Sequence, residues 1–461
     1  MEEVTITKMV HGGQGLGELA DGRKVFVWNA LPGEVVRVRV IRKKRSYAEA
    51  IAEEIMSPSP DRIEPRETHY LATSPWQMMT FEAENRHKVA IVHDLFAHRN
   101  SQADGTGLIS GQEEQPEQKP FFLPGAMRNP ETGVSYGYRN KMEYSFWGDE
   151  DGLHLALHQR GSHGKQIVEG SALAMPAVDM AAQAVLDELR RLHIRAGDLK
   201  TLVIRCDQNG NAVAALFVKP SAFPRLDFLT QTKSSHPAGG PDALLSGSAF
   251  GGLLQGIRVY HSNPKSPASV RTQLLYEIGG CELTDTLLGR EFRYDVDSFF
   301  QVNLPIYEQA LTSIREHCVG DPIDLYAGVG SIGLSVAKKQ VTLVELDPAT
   351  AAMARTNLSL AQGLSLSKVV EGSSERALEH VAGDRPIIVD PPRAGLHPAV
   401  VDRCLAVLPP QIMYLSCNPA TQVRDLELLA ERYRIVYCEV FNFFPRTPHI
   451  ETLVVLERRG D

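Results

Sequence analysis

Cys417 is the residue whose type and setting most invite chemistry. It follows the run Ile412–Met413–Tyr414–Leu415–Ser416 and precedes Asn418–Pro419. The apolar run predicts a buried strand, and the proline predicts the opening of a helix. A thiol at the carboxyl end of a parallel strand stands where open α/β sheets bind ligands, and a helix N-terminus beside it favours the thiolate. Glu451, in Pro445–Arg446–Thr447–Pro448–His449–Ile450–Glu451–Thr452, stands at the mouth of the last apolar strand. A thiol and a carboxylate brought to one place can add to an electrophile and then remove a proton. Each alone also has an ordinary reading, as a buried cysteine and a surface glutamate.

The run Ile323–Asp324–Leu325–Tyr326–Ala327–Gly328–Val329–Gly330–Ser331–Ile332–Gly333 leads from an apolar strand through a glycine-rich turn into a helix over 334–338. Gly328 and Gly330 allow the backbone to approach an adenosyl group, and Gly333 allows the helix to pack on the strand. The following strand, Val341–Val344, ends in Glu345, a carboxylate able to accept from both ribose hydroxyls. NAD fits this pattern as well as S-adenosylmethionine does. Ile387–Ile388–Val389–Asp390–Pro391–Pro392–Arg393 favours the methyl donor, because such acid-proline-proline turns stand beside base pockets in nucleic-acid methyltransferases. Uracil C5 is too weak a nucleophile to take a methyl group unaided. A thiolate adding at C6 makes C5 an enolate carbon, and a base then removes the C5 proton. Cys417 and Glu451 would supply both functions, whereas hydride transfer has no use for either.

These residues need a scaffold, and 461 residues predict two or three domains. Residues 1–60 read as a small β-barrel of the oligonucleotide-binding type, with strands at Val25–Trp28 and Val35–Val40 and a linker at Ser57–Pro60. Its run of Arg37, Arg39, Arg42, Lys43, Lys44 and Arg45 offers phosphate contacts or, equally, a solvated edge. Residues 61–290 read as a central α+β domain with a helix over Glu82–Asn100, a loop insertion at 101–133, strands at Lys141–Trp147 and Leu153–Leu157, and a helix at Val178–Leu192. Residues 291–461 read as an α/β domain, a Rossmann-like doubly wound parallel sheet with strands at Ile323–Leu325, Val341–Val344, Ile387–Val389, Ile412–Leu415 and Leu453–Leu456.

A net charge of −8 excludes wholesale electrostatic coating of nucleic acid, so RNA contacts must be local. The six cysteines contain no C-x-x-C pair, and spacing supports no metal. The N-terminus has no basic start leading into an apolar run, and no stretch approaches the roughly 18 apolar residues of a membrane span. A cytoplasmic location is expected.

The sequence resembles the RNA 5-methyluridine methyltransferase family, whose class I, S-adenosylmethionine-dependent members share five ordered motifs. Here these are Ser298–Asn303, Asp324–Gly330, Asp390–Arg393, Ser416–Pro419 and Pro445–Thr452. The N-terminal unit resembles the TRAM domain that many members carry for RNA binding, so the likeness spans nearly the whole chain. It implies Cys417 as nucleophile and Glu451 as proton acceptor, with Gln301, Tyr326, Gly328, Gly330, Ser331, Glu345 and Asp390 around the cofactor. It also implies that a helix near 84–99 packs on the catalytic domain. The expected partner is tRNA or rRNA, with the target uridine single-stranded or flipped, and the chain is expected to be a monomer. Arg139, Lys141, Arg393, His449, Arg42 and Lys43 are the candidate RNA contacts. Phe299, Phe300, Phe443 and Phe444 are either base platforms or core.

One departure is plain. Many TRAM-bearing relatives hold an iron–sulfur cluster on C-x5-C-x2-C and a later cysteine. The segment Glu67–Trp76 and Ser171 hold no cysteine, so no cluster is expected and its structural role should pass to packing around Trp76. The alternatives are a cytosine-C5 RNA methyltransferase and an inactive RNA-binding or chaperone protein.

Overall fold

The computed structural model describes residues 2–103, 127–129, 134–160, 164–226 and 254–460. Alternating apolar residues at the N-terminus become a six-stranded sheet in the order Glu2–Thr5, Val35–Lys43, Tyr47–Ser57, Lys24–Trp28, Gly15–Glu18, Lys8–Met9. Only Ile6 and Thr7 separate the two edge strands in sequence, so the sheet must curl until its edges approach. Ile6 N–H donates to Glu34 O at 2.9 Å and Thr7 N–H to Leu16 O at 2.8 Å across this seam. Val4, Val25, Val27, Val36, Val38 and Ala50 fill the inside.

The basic run is less available than its sequence implies. Arg37 pairs with Glu3 and Glu54, and Arg39 with Glu53. The neighbouring strand Tyr47–Ser57 carries glutamates opposite the arginines, where cross-strand partners of opposite charge attract. Arg42, Lys43, Lys44 and Arg45 remain exposed.

A second, seven-stranded sheet runs in the order Gln273–Gly279, Leu254–His261, Ala212–Val218, Leu199–Cys206, Lys141–Asp149, Gly152–His158, Lys165–Ile167. Helix Pro176–Arg191 covers one face, burying Val178, Ala181, Val185 and Leu189 at helical spacing. The other face, including Val203, Ala215 and Phe217, shares a core with Phe300, Tyr307 and Leu311 of the C-terminal part.

The C-terminal sheet orders Lys368–Glu371, Thr342–Glu345, Ile323–Leu325, Ile387–Val389, Gln411–Ser416, Glu451–Arg458, Tyr433–Phe441. The first five are parallel. Glu451–Arg458 lies antiparallel between its two neighbours, which differs from its expected place in a parallel sheet. Burial on both faces produces the same apolar run in either direction, and only the hairpin with Tyr433–Phe441 fixes the sense.

Helix Phe81–Ala103 lies against this sheet, with Ile91, Val92 and Phe96 in one core with Ile412, Val423 and Leu426. Most of the loop expected at 101–133 lies outside the described residues. Its residues 127–129 are ordered against the edge strand: Arg128 N–H donates to Val440 O at 2.9 Å and Asn442 N–H to Arg128 O at 2.9 Å. Among the described residues, no helix is long and apolar enough to cross a membrane.

The segment aligned with the cluster cysteines is tied by polar bonds. Glu67 accepts from Ala172 N–H and from Gln77 Nε2, the latter at 2.6 Å, and pairs with His69 at 3.0 Å. Ser171 N–H donates to Asp179 at 3.1 Å. Trp76 is fully buried and donates from its indole to Gly13 O at 3.1 Å. Packing around Trp76 therefore joins the N-terminal sheet, while Glu67 is what bridges to the 171–172 segment.

Candidate active site

Register brings Cys417 and Glu451 together. Strands Gln411–Ser416 and Glu451–Arg458 pair antiparallel, with Leu415 opposite Leu453 and Ser416 opposite Thr452. Cys417 is the next residue past the end of its strand and Glu451 the first of the partner strand, so the end of this ladder brings the two side chains to one place. Both residues line a cavity of about 1100 Å³ together with Tyr326, Gly328, Glu345 and Asp390.

The loops around the thiol are bound to each other. Asn418 Nδ2 donates to Arg393 O at 2.8 Å, and Thr421 Oγ1 to the same carbonyl at 3.2 Å. Pro419 opens helix Pro419–Leu429 as the sequence predicts. Cys417 is half-buried, while the other five cysteines are buried.

Electrostatically the site is crowded with acids. Burial, then Glu451 and Asp390, push the Cys417 thiol up to about 12. Burial beside Asp390 raises Glu451 well above the usual carboxylate range, and burial raises Asp390 too. Like charges so close cannot all ionise together. The His449 imidazole is driven down to about 3 by burial and by Arg393; it is neutral at ordinary pH, and its Nδ1 lies 3.1 Å from Arg393.

Of the residues expected at the cofactor, Gln301, Tyr326, Gly328, Glu345 and Asp390 line the cavity. Gly330 instead caps helix Ser331–Val336 with φ 88°, and the Ser331 hydroxyl is bonded to Tyr307 at 2.7 Å. Gly330 is thus held by the start of its own helix and Ser331 by helix Leu304–His317.

An adenosyl group fits what remains. Glu345 is oriented by Gly328 N–H at 2.9 Å and Asp347 N–H at 2.8 Å, which leaves lone pairs for ribose hydroxyls. Leu346, 66% exposed, offers an apolar face beside it. The buried Ser373 lies in the same wall. Ser373, Ser374 and Leu346 were missed in the sequence, although Ser373–Ser374 follow a strand ending in the acid Glu371.

Arg393 and His449 are the candidate RNA contacts that reach this cavity. Arg139 bridges to Ala174, Lys141 lines a separate cavity, and Arg42 and Lys43 end strand Val35–Lys43 of the N-terminal sheet. The four phenylalanines divide. Phe300 and Phe443 are core at 2% and 1% exposure, Phe299 is 65% exposed, and Phe444 lines the cavity with Phe299. Buried Arg205 donates to Ser298 O at 2.8 Å and Phe300 O at 3.0 Å, and Phe300 stacks on Tyr294 at 4.2 Å. That grip holds Phe300 inside and leaves Phe299 facing out.

The loop before Glu451 has a buried ionic anchor that no sequence pattern announced. Lys88 and Glu84 of helix Phe81–Ala103 are fully buried and 2.9 Å apart. Lys88 donates to Asn442 Oδ1 at 2.7 Å and Phe444 O at 3.0 Å. Glu84 accepts from Arg446 N–H at 2.9 Å and Asn442 Nδ2 at 3.0 Å. Arg446 adopts φ 64°, and Pro448 lies against Gly13 of the N-terminal sheet. All three parts of the chain thus meet at the 442–450 loop, whose ends are the paired residues Phe441 and Glu451.

A parallel α/β sheet with an inserted antiparallel strand, a glycine loop whose next strand ends in an acid, and a thiol and a carboxylate in one cavity are the architecture of a class I methyltransferase. Residues 281–459 match the family described as tRNA (Uracil-5-)-methyltransferase, and residues 1–52 match the TRAM domain. At its two ends the chain is thus similar to the uracil-5 methyltransferase family and to the TRAM domain. It is 29% identical to an uncharacterized RNA methyltransferase of Lactobacillus johnsonii over 99% of this chain and 98% of the relative. It is 27% identical to another of Thermotoga maritima over 100% of both. In fold it is similar to the Pyrococcus abyssi tRNA (uracil-54, C5)-methyltransferase solved with S-adenosyl-L-homocysteine, with TM-score 0.71, 20% identity, and coverage of 98% of this chain and 100% of that one.

Proposed function

We propose that this protein methylates C5 of a uridine in tRNA or rRNA, with Cys417 as nucleophile and Glu451 as base. The observation that carries the reading is that Cys417 and Glu451 line one cavity with Glu345, near enough for Glu451 to raise the thiol. Bound S-adenosylmethionine would supply the methyl group and a positive charge beside three acids that otherwise raise one another.

Cys417, its proton released to solvent as the donor's positive charge offsets the neighbouring acids, adds as thiolate to C6 of the uracil, and the C5–C6 electron pair becomes available at C5 for the methyl group. Glu451 then takes the C5 proton, the C6–S bond breaks, and the electron pair returns to Cys417 as thiolate. The burial that raises Glu451 also makes its carboxylate a stronger base once ionised. Neutral His449, fixed by Arg393, offers a hydrogen bond to a uracil carbonyl or N–H. Phe299 and Phe444 flank the cavity as apolar faces for an unstacked base. Gln301, Tyr326 and Asp390 would surround the donor. The protein would act as a monomer in the cytoplasm, and Arg42 and Lys43 would add distant phosphate contacts.

Cys417→Ala should abolish methylation of unmodified tRNA and rRNA transcripts and any covalent adduct with 5-fluorouridine RNA. Retained methylation by that variant, or label appearing in cytidine, would overturn the proposal.

A further inference from the structure

A second cavity, of about 530 Å³, is left unused by this chemistry; its size is within the range of small-ligand sites. It lies on the face of the middle sheet turned away from helix Pro176–Arg191. Glu143, Val203 and Ala215 form one cross-strand row in its floor, with Phe217 beside them on the same face. Val270 and Arg271 close it on one side and Val296–Asp297 on the other.

The last of these walls links the two cavities. Val296 and Asp297 line this one, whereas Phe299 and Gln301 line the catalytic one. Two residues of chain span at most about 7 Å. The two cavities therefore adjoin along this segment, close enough for one unstacked strand to reach into both.

Its polar groups suit a nucleotide. Lys141 is half-buried, and burial with Arg205 holds its ammonium down to about 8 against the opposing pull of Glu143 and Asp297. Among the described residues it has no carboxylate within ion-pair distance, so an anion would relieve it. Arg271, 45% exposed, is 3.9 Å from Asp297 Oδ1 and can turn toward a phosphate. Asp297 Oδ2 is engaged by Tyr260 at 2.5 Å and Arg258 at 2.8 Å, which fixes the carboxylate, and Asp297 lines the cavity with Arg271 as the nearest cation to Oδ1 among the described residues. A carboxylate accepts from the exocyclic amine of cytosine and repels the carbonyl that uracil carries there.

We propose that this cavity is a second nucleotide subsite, holding the RNA nucleotide adjacent to the target with its phosphate on Lys141 and Arg271 and an amine-bearing base over Val203, Ala215 and Phe217 against Asp297. The proposal rests on the uridine-methylating reading for the identity of the neighbouring occupant.

The test uses the full chain and two fluorescein-labelled heptaribonucleotides with a central 5-fluorouridine, one flanked by cytidines and one by uridines. Affinity by anisotropy reads the subsite, and the Cys417 adduct reads the catalytic proposal. Wild type should bind the cytidine-flanked RNA at least about fivefold more tightly. Lys141→Met and Arg271→Ala should each weaken binding about tenfold and lower the salt slope by about 1. Asp297→Asn should narrow the difference between the two RNAs. Equal wild-type affinity for both RNAs, or Arg271→Ala and Lys141→Met binding like wild type, would overturn the subsite. Arg271 is a surface residue, so its variant keeps the test decisive if another fails to fold. Discriminating binding without any adduct would count against the catalytic reading while leaving the subsite standing.

Discussion

Replacing Lys88 with methionine removes a charge but keeps most of the volume of the side chain. The Glu84 carboxylate then stays buried with only neutral donors, Arg446 N–H and Asn442 Nδ2. Asn442 Oδ1 and Phe444 O each lose a donor. Breaking a buried pair from one side costs about 3–5 kcal/mol, a large share of the ~5–15 kcal/mol that holds a domain together. At ~2–4 °C per kcal/mol, the unfolding midpoint should fall by roughly 6–20 °C. Those bonds also hold the 442–450 loop, whose ends are Phe441 and Glu451, so turnover should fall further than unfolding explains. A displacement of about 1 Å at the base can cost ~10²-fold. The assay is a double-mutant cycle of Glu84→Met, Lys88→Met and both together, read by thermal unfolding and by adduct turnover at a temperature where all remain folded. The pair should show coupling of about 1–3 kcal/mol, because removing both charges leaves no lone buried ion. Single variants within about 0.5 kcal/mol of wild type, or strictly additive losses, would refute the reasoning.

Asp324 is fully buried with one oxygen unpartnered, and burial raises its carboxyl from the ordinary range to about 8. The folded state therefore holds a proton that the unfolded chain releases near pH 4, so this contribution is complete below that pH and lost as pH rises through about 8. Asp324→Asn should flatten the decline in stability between those limits; an unchanged profile in urea melts would show that Asp324 is not its source. In the ligand-free protein, Cys417 with its thiol near 12 should be ~10⁻⁴ ionised at pH 8. Iodoacetamide should label it slowly, faster with each pH unit, and ahead of the five buried cysteines; mass spectrometry showing free-thiol rates at pH 8 would contradict this. A Cβ on Gly13, at φ 95°, would come within 2.3 Å of Pro448 Cβ. Gly13→Ala should cost about 1–3 kcal/mol and raise KM for RNA by shifting the N-terminal sheet against the 442–450 loop. Unchanged melting and KM would show that this contact is inessential.

Much of the site was legible in the sequence because its parts are local. Strand, turn and helix follow one another over Ile323–Val336, and backbone chemistry within those residues suffices to place Gly328 and Tyr326 at a cavity. The motif does not reveal that Gly330 will cap the following helix or that the Ser331 hydroxyl will bond to Tyr307. Arg37 and Arg39 illustrate the converse. Their charges are evident in the sequence, but their neutralisation by Glu53 and Glu54 depends on the register of two strands.

By itself the sequence determined the chemistry at hand, a thiol, a carboxylate and a glycine-rich adenosine loop, and the strands and helices that carry them. Tertiary structure alone decided that Cys417 faces Glu451, that Glu84 and Lys88 anchor the intervening loop from a helix more than 350 residues away, and that a second cavity opens beside the first. The physical reason is that side-chain type and local periodicity are properties of short segments. Strand direction, register and the burial of a charge are set by partners distant in the chain.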